Sequence, residues 1–540
     1  MEESIFDQYD IREWIESSLG SEIMVPIWGP FPDKNLDIYI KSYIIDINDA
    51  KAQLDTDTYD ISGLKPGFSI YGILEDKEVI YERYNSSIKA EPIVINRSYD
   101  GLADDNYEIV EEFRLLFNLY YKFEKQEYID LINDITVVKI NSNSLVQINK
   151  KYLKQYLAVK NMALILHVDS RYTLPIYDNN IKDKNIEYKN DEQTIFYTLN
   201  ILKYSSMGEK KNCSLMYGKK IIYGCELIHC GIWPYSENIE YESFIIGMDE
   251  NGNDIVNTCD PDKLSNFFGA NPGMPHYLTP VYFEPEVLNK YYSKPERYTV
   301  KDGIIECGNL WSLYIDNQNT DYVSVYLGDL GRDLPNKKEQ LYWKSYNKAI
   351  DGTLSTTKIK RDFMAEFTNP ESIDFIFKNK YVEINKLFNS ELGWKLFLDL
   401  NQKDMYNFEG LRIPKTNSIV EMDMLTLSLV KVLIDSLNEK QILKQLTGTY
   451  EKLNGGISRL EKWLEEKNLQ NYQEHIKFLR DLQDLRSTGT GHRKGKKYEK
   501  ISAKWNVSTG NYDKAFSNIL KYSVEFLDYI IRNIDMLKNK

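Results

Sequence analysis

Apolar positions change their spacing several times along the chain. Residues 5–19 place Ile5, Tyr9, Ile11, Trp14, Ile15 and Leu19 at the three-and-four spacing of one helical face. From Leu36 to Ile45 the spacing falls to two and then becomes continuous, which predicts a strand. Further β-branched and aromatic runs at 68–73, 79–84 and 92–95, separated by Pro, Gly and Asn/Asp clusters, predict a small sheet. A helical pattern over 107–123, strands at 136–140 and 145–148, and a helix near 152–159 lead into the apolar run Ala163–Val168. His167 lies inside that run and reads as a hydrogen-bonded core histidine. Residues 192–260 read as mostly β, with strands near 194–202, 219–223 and 241–248, and Asn251-Gly252 marks a hairpin turn.

A Pro/Gly-rich connector at 261–282 precedes a short helix at 285–292 and strands at 298–305, 310–315 and 322–327. The segment Gly328–Pro335 that follows is a glycine-and-aspartate loop at a strand end, where either a ligand site or a salt-bridged loop fits, and the second is the simpler reading. From Lys337 the period is helical, through 341–346, 362–367, 370–377, 382–388 and 392–400, until the loop Phe408–Pro414. Beyond it come helical patterns at 419–437, at 441–468 with a bend near Gly455-Gly456, at 471–485, and at 512–536, where Phe516, Ile519, Leu520, Val524, Leu527 and Ile530 form one stripe. The expected architecture is an α+β multidomain chain. A mixed α/β N-terminal region (1–260) and a β-rich, then helical middle region (261–410) precede an all-α C-terminal helical bundle (415–540).

Composition narrows the classes. With 81 acidic and 67 basic residues the 540-residue chain carries −14, so it does not bind polyanions by overall charge. Basic residues concentrate late: Arg486, Arg493, Lys494, Lys496, Lys497, Lys500 and Lys504 stand against Glu499 alone, which predicts a local positive patch. Five unevenly spaced cysteines argue against a disulfide scaffold and fit a reducing cytoplasm. The acidic start Met1-Glu2-Glu3-Ser4 lacks the order of a signal peptide, and no apolar run approaches the ~18 residues of a membrane span. The expected location is therefore cytoplasmic, without membrane partners. Cys225, His229, Cys230, Cys259 and His276 do not match a zinc spacing, and no phosphate loop, nucleophile elbow or dinucleotide fingerprint occurs, so neither metal nor cofactor is expected.

The chemistry concentrates in Arg486-Ser487-Thr488-Gly489-Thr490-Gly491-His492. The apolar positions Ile476, Leu479, Leu482 and Leu485 predict a helix that the glycine pair stops, so that Arg486 is fixed by the helix and His492 stands one short turn beyond. An imidazole with an ordinary pKa of ~6.5 can take a proton from a ribose 2′-hydroxyl. A guanidinium can hold two phosphoryl oxygens as the 2′-oxygen attacks phosphorus. Together they suit metal-independent cleavage of RNA, since DNA lacks the nucleophile.

An arginine at a helix end followed a few residues later by a histidine, within a small all-helical domain, resembles the HEPN superfamily. Five residues separate Arg486 from His492 here. Members usually carry Asn, Asp or His directly after the arginine, where this chain has Ser487. The resemblance covers 415–540 and implies a HEPN-like bundle with Arg486 and His492 catalytic, acting as a homodimer. It also looks like the layout of ApeA-type and other abortive-infection proteins, which implies an anti-phage endoribonuclease held in check by the front region until a phage or cellular trigger arrives. The expected partner is RNA, tRNA among the substrates to test, with Arg493, Lys494, Lys496 and Lys497 contacting its backbone. The alternative is a non-catalytic RNA-binding or dimerisation protein of the same fold.

Overall fold

The computed structural model describes residues 6–17, 23–33, 36–55, 64–72, 77–84, 88–141, 145–174, 177–206, 209–235, 240–350, 352–364, 368–448, 453–489 and 494–538. The chain is mixed α/β and divides into two compact units, Met1–Asn238 and Ile239–Lys540. No helix among the described residues is long and apolar enough to cross a membrane.

The first unit is built on one ten-stranded sheet. Its strands are β1 (Met24–Phe31), β2 (Asp37–Asp46), β3 (Tyr120–Lys122), β4 (Glu127–Asp130), β5 (Ile135–Ile140), β6 (Val146–Asn149), β7 (Met162–Thr173), β8 (Lys184–Lys189), β9 (Ile195–Ser206) and β10 (Glu209–Tyr223). They lie in the order β8-β9-β10-β7-β2-β1-β6-β5-β4-β3, every neighbour antiparallel. β1 joins the two halves. Met24–Trp28 pairs with β6 and Gly29–Phe31 with β2, and the register slips between Pro26 and Trp28, where proline supplies no ladder donor. The apolar run of β7 is buried without interruption from Met162 to Val168. Helix α1 (Tyr9–Glu16) packs Ile11 and Ile15 with Val168, and helix α2 (Lys150–Lys160) packs Leu153, Tyr156 and Leu157 with Ala163, Leu164 and Ile165.

The small sheet expected from 68–95 is instead two separate hairpins, Gly67–Tyr71 with Glu78–Glu82 and Val94–Arg97 with Asn106–Ile109. The helix expected over 107–123 shrinks to Glu111–Leu116. Ile109 pairs with Val94 as a strand, and Asn118 turns left-handed (φ 48°) before β3 begins. Tertiary pairing there overrides a spacing that either element could satisfy.

In the second unit, strands Val323–Tyr326, Pro280–Phe283 and Asn347–Lys348 form one small sheet, and Thr299–Lys301, Ile304–Cys307 and Trp311–Tyr314 form another. Gly328–Asp333 lies in a helix, α3 (Leu327–Asp333), where a loop was expected. Its glycines permit close approach: a Cβ on Gly331 would sit 1.9 Å from the Cys259 carbonyl oxygen, and one on Gly328 2.2 Å from the Tyr277 ring. Asp329 accepts from the Tyr277 hydroxyl and pairs with Arg332, as the salt-bridged reading anticipated.

The helical part comprises α4 (Ile373–Leu392), α5 (Ile419–Val430), α6 (Glu439–Lys444), α7 (Gly456–Glu466), α8 (Tyr472–Gly489), α9 (Lys496–Lys504) and α10 (Tyr512–Arg532). A single π-helical turn, Lys431–Asp435, extends α5. One hydrophobic cluster runs from Phe377 on α4 to Leu537, so α4 and the segment Trp394–Phe397 belong to the same core as the helices after 415. The helix expected at 392–400 does not form. Gly393 ends α4 in a left-handed conformation (φ 75°), and the chain bends on to an isolated antiparallel bridge of Phe397 with Leu437.

Candidate active site

Helix α8 is the mount of the site. Ile476, Phe478, Leu479, Leu482 and Leu485 are buried in the helical core, which fixes the rotation of the helix about its axis. Arg486 follows directly and stands on the flank, its side chain 35% exposed and a terminal nitrogen 3.9 Å from an Asp435 carboxylate oxygen. Asp435 closes the π turn, a widened helical ladder that recurs at functional sites.

The helix does not stop at Leu485 but continues to Gly489. Ser487 and Thr488 give their hydroxyls to the Asp484 carbonyl at 3.2 and 2.7 Å, tying both side chains to their own helix. Ser487 thus occupies the position after the arginine without reaching outward. A Cβ on Gly489 would lie 3.3 Å from both an Asp423 carboxylate oxygen and the Tyr498 ring, so this glycine lets the end of α8 approach α5 and α9 closely. His492 and Arg493 lie outside the described residues.

Beyond α8, part of the basic segment is paired with carboxylates. Lys494 pairs with Asp423 at 2.7 Å and sits 4.8 Å over the Tyr498 ring; Lys497 pairs with Asp484 at 2.8 Å; Lys504 pairs with Asp481. Three lysines of the expected patch are therefore held in ion pairs. Their acids come from α5 and α8, brought there by helix packing, and counting charges along residues 486–504 misses them. Burial of the Lys494 amine works against its charge, but Asp423 outweighs that and holds its pKa above the ordinary lysine value. Lys496 is exposed. Because such surface pairs are worth about 0–1 kcal/mol each, a phosphate could replace the carboxylates at small cost.

His475 and His167 are engaged in packing, whereas His229 is exposed beside Glu226. His475, also on α8, lies 4.4 Å from the Tyr529 ring, and burial lowers its pKa. His167 is buried with Nδ1 2.7 Å from the Tyr217 hydroxyl; burial first, then Lys219 and Lys41, push its pKa down to about 3. The cysteine grouping is dispersed into hydrogen bonds: the Cys225 thiol donates to the Lys154 carbonyl, the Cys259 thiol to the Gln340 side-chain oxygen, and His276 Nδ1 accepts from the Leu278 N–H. Among the described residues no three His, Cys, Asp or Glu side chains gather as metal ligands.

Asp423 and Asp435 were not singled out from the sequence. The available signal was their place in the mostly apolar stretch Ile419–Asp435, where charged positions are few. Compared with protein-family models, curated proteins and solved structures, the chain matches none.

Proposed function

We propose that the chain is a metal-independent endoribonuclease of anti-phage, abortive-infection type, with Arg486 and His492 as its catalytic pair. The observation that carries this reading is Arg486 itself: a partly exposed guanidinium on the last turns of a helix, at the edge of the face that Leu479, Leu482 and Leu485 bury in the hydrophobic core. In the reaction, His492 takes the 2′-hydroxyl proton, the 2′-oxygen bonds to phosphorus as the bond to the 5′-oxygen breaks, and Arg486 holds the phosphoryl oxygens as charge builds; the departing 5′-oxygen takes a proton from the second copy's His492, leaving a 2′,3′-cyclic phosphate. Lys494, Lys496, Lys497 and Arg493 hold the backbone, Lys494 and Lys497 by exchanging a carboxylate for a phosphate. The active unit is a homodimer, because one histidine cannot at once remove a proton and deliver another. The exposed Val420 and Met424 on α5, either side of Asp423, offer a second copy an apolar seat beside the motif.

A second reading keeps the fold and drops the chemistry: an RNA-binding or dimerising bundle. It draws on Ser487, whose hydroxyl serves its own helix. The test is incubation of purified protein with labelled tRNA and total RNA, with and without EDTA, beside the Arg486→Ala and His492→Ala variants. Cleavage that persists in EDTA and vanishes in both variants supports the nuclease. Binding without cleavage supports the second reading, and cleavage lost in EDTA overturns the mechanism.

A further inference from the structure

A cavity of about 340 Å³ opens between α4 and the irregular segment that follows it. Its volume falls in the range of small-molecule sites. Its apolar wall is aromatic: the Tyr381 ring lies 5.2 Å from Phe408 at 38° and stacks on Phe397 at 4.8 Å, with Leu398 and Met405 beside them. The Asn385 amide, also on the wall, is committed to the Phe397 N–H and carbonyl at 3.0 and 3.2 Å. The charged lining is Lys386, Lys395 and Asp399, with Lys395 and Asp399 paired at 2.7 Å. Lys386 is exposed and has no ion pair among the described residues. On a chain of net charge −14, this mouth carries a cation in excess. Flat aromatic walls with one uncommitted ammonium fit a planar aromatic anion.

The same walls grip the π turn. The Leu398 N–H donates to the Ser436 carbonyl at 2.7 Å, the Tyr381 hydroxyl lies 3.3 Å from the Ser436 hydroxyl, and Asp404 pairs with Lys431 at 3.2 Å. Ser436, which follows the π turn, is thus tied to two lining residues, Lys431 at its start pairs with the residue next to the lining Met405, and Asp435 stands beside Arg486. We propose that this cavity binds a planar aromatic anion, and that occupancy sets the position of Asp435 against Arg486 through the π turn. The binding clause stands independently of any reaction. The regulatory clause rests on the nuclease reading.

The probe is naphthalene-2-sulfonate, titrated into the full chain by calorimetry, with naphthalene-2-methanol as its uncharged counterpart. Saturable binding is expected, at least fivefold tighter than the alcohol. It should weaken at least tenfold in Lys386→Glu and be lost in Asn389→Trp, which crowds the mouth from an exposed position; circular dichroism checks that both variants fold. Affinity unchanged in both folded variants, or no saturable binding to the native chain, overturns the site. Hydrogen exchange of the peptide spanning 431–438 reads the coupling without needing activity. Slower exchange in the saturated native protein, absent in Lys386→Glu, supports it; binding with unchanged exchange overturns it. The RNA assay described above is separate, so its failure leaves both readouts intact.

Discussion

In the ten-stranded sheet, the adjacent residues Lys219 and Lys220 point to opposite faces of β10, and each donates to a backbone carbonyl of the element covering that face. Lys219 reaches Gln53 at 2.7 Å and Lys220 reaches Ile15 at the same distance, both ammonium groups buried. His167, across from Lys219 in the ladder, is held neutral. At the end of α8 the lysines are equally engaged, but with side-chain carboxylates near the surface. The first arrangement spends its donors on fixed backbone groups, and losing them leaves buried polar atoms unsatisfied. The second holds cations in exchangeable pairs. A polyanion can therefore reach Lys494 and Lys497 but not Lys219 and Lys220.

The comparison breaks most sharply at Arg486. Arg486→Ala should cut RNA cleavage about a hundred- to thousandfold, the usual cost of one donor to a developing phosphoryl or oxyanion charge, with the melting temperature unchanged within a degree or two. A loss of folding as large as the loss of rate would return Arg486 to a structural role.

His167 sharpens the other side. Its folded pKa of about 3 lies below the unfolded ~6.5, so the unfolded chain binds the extra proton between those values. Its contribution to stability is full above pH 6.5 and declines as pH falls toward 3, at about 1.4 kcal/mol per pH unit. His167→Gln should flatten the acid limb of urea-unfolding stability by about that slope. Parallel limbs in the two proteins would show that acid acts elsewhere.

The lysines allow a direct contrast. Lys220→Ala should destabilise the first unit by about 1.5–3 kcal/mol, because a charge-assisted bond to a buried carbonyl is lost. Lys494→Ala should cost less than about 1 kcal/mol, as exposed pairs do. Equal shifts in urea midpoint would erase the distinction. The smallest effect concerns RNA affinity. Asp423→Asn with Asp484→Asn frees Lys494 and Lys497 and should tighten RNA binding several-fold at low salt, whereas alanine at Lys494, Lys496 and Lys497 together should weaken it and lower the salt slope by up to about 2–3. Filter binding across a salt series reads both.

Sequence periodicity alone determined much of the helical part. α8 and α10 carry long apolar stripes, and their burial follows from that spacing wherever a partner face exists. It also placed Arg486 on a helix and made His167 a core histidine. Short runs were ambiguous, as residues 107–123 and 392–400 show, because a few apolar positions satisfy either period until a neighbouring strand or a left-handed residue decides. Only the tertiary structure could join β1 to both β2 and β6, make the glycines of α3 contact points, and set Asp423, Asp484 and Asp481 against the late lysines. The last pairing offsets part of the positive charge counted along one segment. Electrostatics depends on distance in space, and packing α5, α8 and α9 together brings carboxylates up to 71 residues away into contact with those lysines.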